Sequence, residues 1–432
     1  MRKHLRIAAS LCIPLLLLAV APSSSKPSLK RGAWREPVLV SSNEAHREMS
    51  LALSPKDPNL MIACAPSGVP NRQYNQSYFH ISRDGGRKWE FEDVEGGQTD
   101  TRNYFYEGGD CDVAFDNGGT MYVADTWLGN LSVGHSTDAG ETWSGTAISA
   151  SGLVVDRPWL VGGPKGTLHV SYQDVQFGMP SAIWYTRSTD FGQTFTPTSL
   201  VASAGPDGIF TWQGNLVVSK DAQDLYLVYS RRQGPVLNDL DAAGPETLWA
   251  AVSHDGGFSW TSKLIAAMPN PVSYLYPSIA MDPKGNLHIV FSSRTEKDRP
   301  IWYAFSKDEA ESWTKPLPLT RGSAGYSPWI ATDRSGEAAV VWYGGPHPKT
   351  APGKDYDWFI YWARVSGAGA GKPHVVSGTT TDRPIFTGNS LIPEFENVRL
   401  DAKGVMHIGA SARYQDPVTK QIRWALYYQR ER

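Results

Sequence analysis

The chain has 432 residues, of which 41% are hydrophobic and 19% charged, with a formal net charge of −2. So much apolar material excludes a disordered or fibrous chain, and the charge balance excludes the broad basic field of a nucleic-acid binder. Its 41 Gly, 30 Pro, 16 Trp and 19 Tyr combine turn formers with residues that suit half-buried pleated surfaces, which predicts many short strands and tight loops instead of helices.

At the N-terminus, Arg2, Lys3 and Arg6 precede an apolar run from Ile7 to Ala21 interrupted by Ser10. A membrane anchor needs about 20 apolar residues and a stop-transfer charge cluster, whereas Pro22 and Ser23 to Ser25 follow at once. Residues 1–25 therefore read as a signal peptide, with export to a periplasmic or extracellular location and no membrane span in the mature chain. Its loss removes three cationic residues and no acids, taking the net charge from −2 to −5. Cys64 and Cys111 remain, and are either a bridge formed in an oxidising compartment or two small buried hydrophobes.

Residues 26–432 read as one domain built on a repeat. Windows 82–89 (SRDGGRKW), 136–143 (STDAGETW), 188–195 (STDFGQTF), 253–260 (SHDGGFSW) and 306–313 (SKDEAESW) share one pattern. In each, the Asp can bond the backbone N–H groups just after it and the aromatic packs beneath, and in the first four a Gly takes a positive φ where the last has Ala310, so Asp84, Asp138, Asp190, Asp255 and Asp308 are structural residues. Pairs of strand-like runs also recur, at 49–53 with 60–63, 111–115 with 121–124, 158–161 with 168–172, 215–218 with 225–229, 277–281 with 287–291, 328–331 with 338–342, and 397–400 with 405–408. Seven such units, each extended by a third and a fourth strand, predict an all-β β-propeller of seven blades, with six the alternative. The last unit ends on its third strand, and residues 34–40 copy the fourth-strand pattern of 313–319. The N-terminal strand is thus expected to complete the last blade and close the ring.

Function is expected at the box-free end of that ring, on loops carried by a rigid scaffold. Arg232, Arg294 and Arg413 share one repeat position, six residues beyond Tyr226, His288 and His407. Arg47, Glu48, Asp110, Asp156, Arg157, Asp174, Tyr276, Tyr326 and Glu396 fall at the same end. Arginines gathered there suit bidentate capture of a carboxylate, sulfate or phosphate, or else pair with neighbouring acids such as Glu396, Asp174 or Asp110. No cofactor is expected. The acidic 238–244 run offers Ca²⁺-type oxygens without an ordered ligand spacing, and His169, His288 and His407 recur as repeat positions without metal-ligand spacing.

These boxes, in an exported propeller with an arginine cluster, resemble the sialidases (exo-α-neuraminidases). Arg157-Pro158, the 166–172 and 187–190 segments, Arg232 and Arg294 resemble that family's arginine positions, Gly325–Pro328 its Tyr-Ser segment, and Glu396 with Arg413 its Glu and Arg spacing. The resemblance implies that Arg157, Arg232, Arg294 and Arg413 grip the carboxylate of a terminal acidic sugar, with Arg47 a rival for the first arginine. It further implies that Tyr326 is the nucleophile, that Glu396 takes its proton, and that Asp174 or Asp110 is the general acid. A monomer acting on a glycoconjugate is expected. The alternatives are a non-catalytic propeller binding a glycan or protein, and a uronate polysaccharide lyase.

Overall fold

A computed structural model describes residues 32–42, 48–67, 76–94, 96, 108–127, 129–149, 154–176, 179–204, 209–233, 246–268, 276–293, 298–345, 357–367, 369–376, 386–387, 397–415 and 417–432. Residues 1–25, read from the sequence as a signal peptide, and Arg47, Arg294, Glu396 and the 238–244 run lie outside the described residues. Those described form seven antiparallel sheets, six of them running from an inner strand outward in chain order and the last completed by the N-terminal strand, the arrangement of a seven-bladed propeller. The inner strands are Ser50–Leu53, Cys111–Phe115, Val155–Gly162, Ile209–Val218, Ser278–Met281, Ala324–Thr332 and Asn397–Leu400, for blades one to seven. Blade six has a short fourth strand, Gly369–Ala370, and its third strand also pairs with His374–Val375 and Phe386–Thr387. Like blade seven, it lacks a box.

The box turns are held as the sequence predicts. Asp84 accepts from the backbone of Arg87 (2.9 Å) and Lys88 (3.0 Å), and the Ser82 hydroxyl accepts from Gly86 N (2.9 Å). Asp138, Asp190, Asp255 and Asp308 repeat the scheme, accepting from Thr142, Thr194, Ser259 and Ser312 at 2.9–3.0 Å. Three of the boxes lean on the turn that joins the first two strands of their own blade, through Gly85 N to Asn59 O, Phe191 N to Gly166 O and Gly256 N to Gln223 O. Boxes and first turns therefore share one end of the ring, and the opposite end is the mouth.

One box glycine also packs on the neighbouring blade. Gly257 has φ +91°, and a Cβ there would fall within the ring of Tyr185, whose hydroxyl is bonded to His169. Gly257→Ala is expected to cost about 2–3 kcal/mol, adding left-handed strain to overpacking. Thermal or urea unfolding of the variant checks it.

The seventh blade consists of Asn397–Leu400, Met406–Gln415, Ile422–Arg430 and the N-terminal Val38–Ser42, which pairs with Ile422–Arg430 from Val38↔Tyr428 to Ser42↔Ala425. The paired strand lies slightly later than the predicted 34–40 because the chain first makes an isolated bridge at Trp34↔Glu431 and then slips register between Leu39 and Ser41. Glu431 anchors this junction, accepting from Gly32 N at 2.8 Å and from Arg364 at 3.2 Å. Cys64 and Cys111 are joined in a disulfide that ties blade one to blade two at the mouth end. Replacing both by Ser is expected to cost about 3 kcal/mol through the freed unfolded chain, seen as a lower melting temperature that reductant no longer changes.

Candidate active site at the propeller mouth

The site begins with a break in a strand. Proline has no N–H for the ladder, and at Arg157-Pro158 the pairing of blade three jumps from Asp156 to Trp159, with Arg157 at φ 53°. Blade six repeats this at Ser327-Pro328, where φ is 50° and the pairing jumps from Tyr326 to Trp329. A left-handed non-glycine costs about 1–3 kcal/mol and persists only where its surroundings fix it. Here Gln213 Nε2 donates to the Arg157 carbonyl, and Arg157 N donates to Asp110 Oδ2 at 3.2 Å.

The bulge turns the Arg157 side chain into a group of acids drawn from three blades. Its Nη1 meets Glu48 Oε2 at 2.8 Å, and its Nε lies 3.4 Å from Asp110 and 3.9 Å from Asp156. Asp156 also accepts from Gln173 Nε2 at 3.1 Å, and the Gln173 side-chain oxygen accepts from Gln213 N at 3.2 Å. The guanidinium carbon of Arg157 sits 4.9 Å from the centre of the Tyr276 ring. Trp159 packs against both Tyr276 (6.2 Å) and Trp329 (5.1 Å), which continues the aromatic surface to blade six. Asp156 and Asp110 remain partly open to solvent, at 32% and 20% side-chain exposure.

The two aspartates hydrogen-bond to each other, and their environments drive their proton affinities apart. Burial raises both. For Asp110 the Arg157 charge then prevails and holds the carboxyl below its usual range. For Asp156 burial is joined by the negative charge of Asp110, and its carboxyl is pushed well above the usual range. The result is two neighbouring carboxyls of unequal proton affinity. Burial likewise pushes the Tyr276 hydroxyl far up, so that it stays neutral, while the surrounding acids keep Arg157 charged.

Asp110 and Arg157, both expected at the site, thus meet in one cluster. Arg157 is held by the protein's own acids, the second of the two arrangements considered for a mouth arginine. Arg232 stacks on Trp212 at 4.6 Å and Arg413 on Trp424 at 4.5 Å, each within its own blade. Asp174 is buried on the second strand of blade three, where its backbone pairs with Val155 and Ala182. Tyr326 is wholly buried, with Trp358 5.2 Å and the Arg299 guanidinium 5.1 Å from its ring.

Glu48, Asp156 and Tyr276 were legible as mouth residues but not as partners of Arg157. Their signal was positional. Glu48 and Asp110 stand two residues before Ser50 and Asp112, Tyr276 two before Ser278, and Asp156 occupies the same place before Trp159 once the bulge is counted. They form one layer of the ring.

A sequence model described as a BNR repeat-like domain matches residues 19–289, more than half the chain. No curated protein matches. Among solved structures, a protein of unknown function from Dyadobacter fermentans is similar at 14% identity with a TM-score of 0.51, over 93% of this chain and 100% of that one. An α-L-arabinofuranosidase from Fusarium graminearum follows at 16% identity and a TM-score of 0.49, over 78% of this chain and 98% of that one. An α-L-arabinanase from Penicillium chrysogenum has 13% identity and a TM-score of 0.48, over 92% and 98%. Among the described residues no group of three or more His, Cys, Asp or Glu could hold a metal ion, and no helix is long and apolar enough to cross a membrane.

Proposed function

The chain belongs to the BNR repeat-like domain family, and from that premise we propose that it is an exported glycoside hydrolase acting on terminal acidic sugars of the sialic-acid type. The observation that carries the reading is the Asp156–Asp110 pair against Arg157, in which burial and the Asp110 charge raise the proton affinity of one carboxyl while the Arg157 charge lowers that of the other. Such a pair is how a fold holds a general acid near neutral pH. The two carboxyls are hydrogen-bonded and so too close to straddle a glycosidic bond, which needs about 5 Å or more between them. They act instead as a single proton-bearing unit, with Asp156 the donor to the leaving oxygen and Asp110 its ionised partner.

The nucleophile is then a third group. Both tyrosines are buried, and Tyr276 is preferred to Tyr326 because it stands against Arg157 and within the field of Glu48, Asp110 and Asp156, whereas Tyr326 packs on Trp358 and Arg299. A tyrosine avoids setting a second negative charge against an anionic sugar. Its proton would pass to a neighbouring carboxylate, for which Glu48 is available at the cluster. The substrate carboxylate is assigned to the mouth arginines, Arg232, Arg413 and Arg294, with Arg47 a further candidate. The Cys64–Cys111 disulfide supports export, because such bonds persist in oxidising compartments.

The test is turnover by the purified full chain on 4-methylumbelliferyl sialoside, with uronides and neutral glycosides in parallel. Fluorophore release from the sialoside, lost in Asp156→Asn, is the expected result. Release from the other glycosides alone would reassign the sugar, and rising absorbance from unsaturated uronates would make the protein a lyase. Retained glycan binding with no turnover of any kind would make it a binding propeller.

A further inference from the structure

Beneath the mouth, the seven inner strands enclose a central channel of about 360 Å³. Alternate residues of each strand face it, so the blades contribute residues in layers. The upper layer holds Ser50, Asp112, Asn215, Ser278 and the pair Trp159 and Trp329, and its polar members stitch neighbouring blades together. Asp112 accepts from the Ser50 hydroxyl and from Leu160 N (2.7 Å), Asn215 bonds both N and O of Ile279, and Ser278 accepts from Ile330 N.

The next layer differs. At this repeat position blades one to six carry Ala52, Ala114, Val161, Val217, Ala280 and Ala331, and blade seven carries Arg399. The small residues leave room for one long side chain. The Arg399 guanidinium lies 5.8 Å from the Trp329 ring and donates to the carbonyl of Val398 at 3.3 Å, but makes no ion pair among the described residues. Asp112, the acid that lines the same channel, has its two oxygens engaged by Ser50 and Leu160. Asp112 acts on Arg399 through its charge without reaching ion-pair distance, and burial still makes the guanidinium a weaker base than usual, since enclosing a cation that no anion contacts directly is costly. Its planar fork matches two oxygens of a carboxylate, phosphate or sulfate.

We propose that Arg399 makes the central channel a binding site for a small oxyanion, separate from the substrate site at the mouth and roofed from it by Trp159 and Trp329. The ligand is an inorganic phosphate or sulfate or a short carboxylate, and it acts as a structural core of the ring.

The test titrates the full chain with inorganic phosphate against chloride at matched ionic strength and follows thermal unfolding. Ligand that binds only the folded state raises the melting temperature with the logarithm of its concentration. The wild-type protein is expected to show that rise with phosphate and not with chloride, and Arg399→Met to lose it. Should Arg399→Met fail to fold, Ala52→Asp decides, since it sets a carboxylate on the adjacent inner strand to occupy the guanidinium. Its response to phosphate is also expected to vanish. The proposal is overturned if wild type shows no phosphate-specific rise, or if either folded variant responds as wild type does.

Discussion

Deletion of residues 1–42 is expected to yield a chain that neither folds cooperatively nor stays soluble. The fourth strand of the last blade comes from the N-terminus and joins it by hydrogen bonds, and without it Ile422–Arg430 becomes an open edge. Trp34 is 4% exposed within the core cluster of blades six and seven, its ring 6.1 Å from that of Trp362. At about 25 cal/mol per Å² over an aromatic's 150–250 Å², its burial alone contributes about 4–6 kcal/mol. Val40 and the bonds Arg35 N to Arg430 O, Arg432 N to Ala33 O and Gln429 Nε2 to Arg35 O disappear with it. A total stability of about 5–15 kcal/mol cannot absorb that loss. A milder variant, Trp34→Ala, should remain folded with a melting temperature several degrees lower. A deletion protein that is monomeric, soluble and melts as wild type does would show that the ring does not depend on this strand.

The fold was readable because its marks are local. Each box is a turn whose Asp, Ser and Gly (Ala310 in the last) bond within eight residues, so five copies reveal the blade period without reference to any distant contact. The closing strand could be matched to its place because Trp34 begins a copy of an outer-strand pattern. The mouth was harder, since its contacts span the chain: Arg157 reaches Glu48 across 109 positions, and Arg157 and Asp110 are 47 apart. The repeat of Arg232, Arg294 and Arg413 drew attention to positive charge, yet Arg232 and Arg413 stack on aromatics of their own blades. What organises the described part of the mouth is a layer of acids at the start of blades one to three, gathered by an arginine that a proline-induced bulge has turned toward them.

Asp156→Asn is expected to lower kcat/KM about 10²- to 10⁴-fold, the usual weight of a positioned proton donor, while leaving the fold intact. Asparagine keeps the shape and can still donate to Asp110. The stability effect has a definite sign. The folded chain holds the Asp156 proton to higher pH than the unfolded chain, where the carboxyl titrates near 3.8. Its stabilising contribution is therefore full below that value and declines as pH rises toward the raised native value. The Asn variant lacks this decline, so it should equal or exceed wild type in alkaline stability while being far less active. Asp110→Asn separates this role from mere packing. Removing the Asp110 charge removes a cause of the raised Asp156 affinity, so the alkaline limb of the pH–rate profile should move to lower pH, the limbs being read as properties of the coupled pair. Arg157→Met, by contrast, leaves the largely enclosed Glu48 and Asp110 without their cation and should lower the melting temperature. If Asp110→Asn leaves the alkaline limb in place, or Asp156→Asn retains wild-type turnover, the acid of this site is not Asp156.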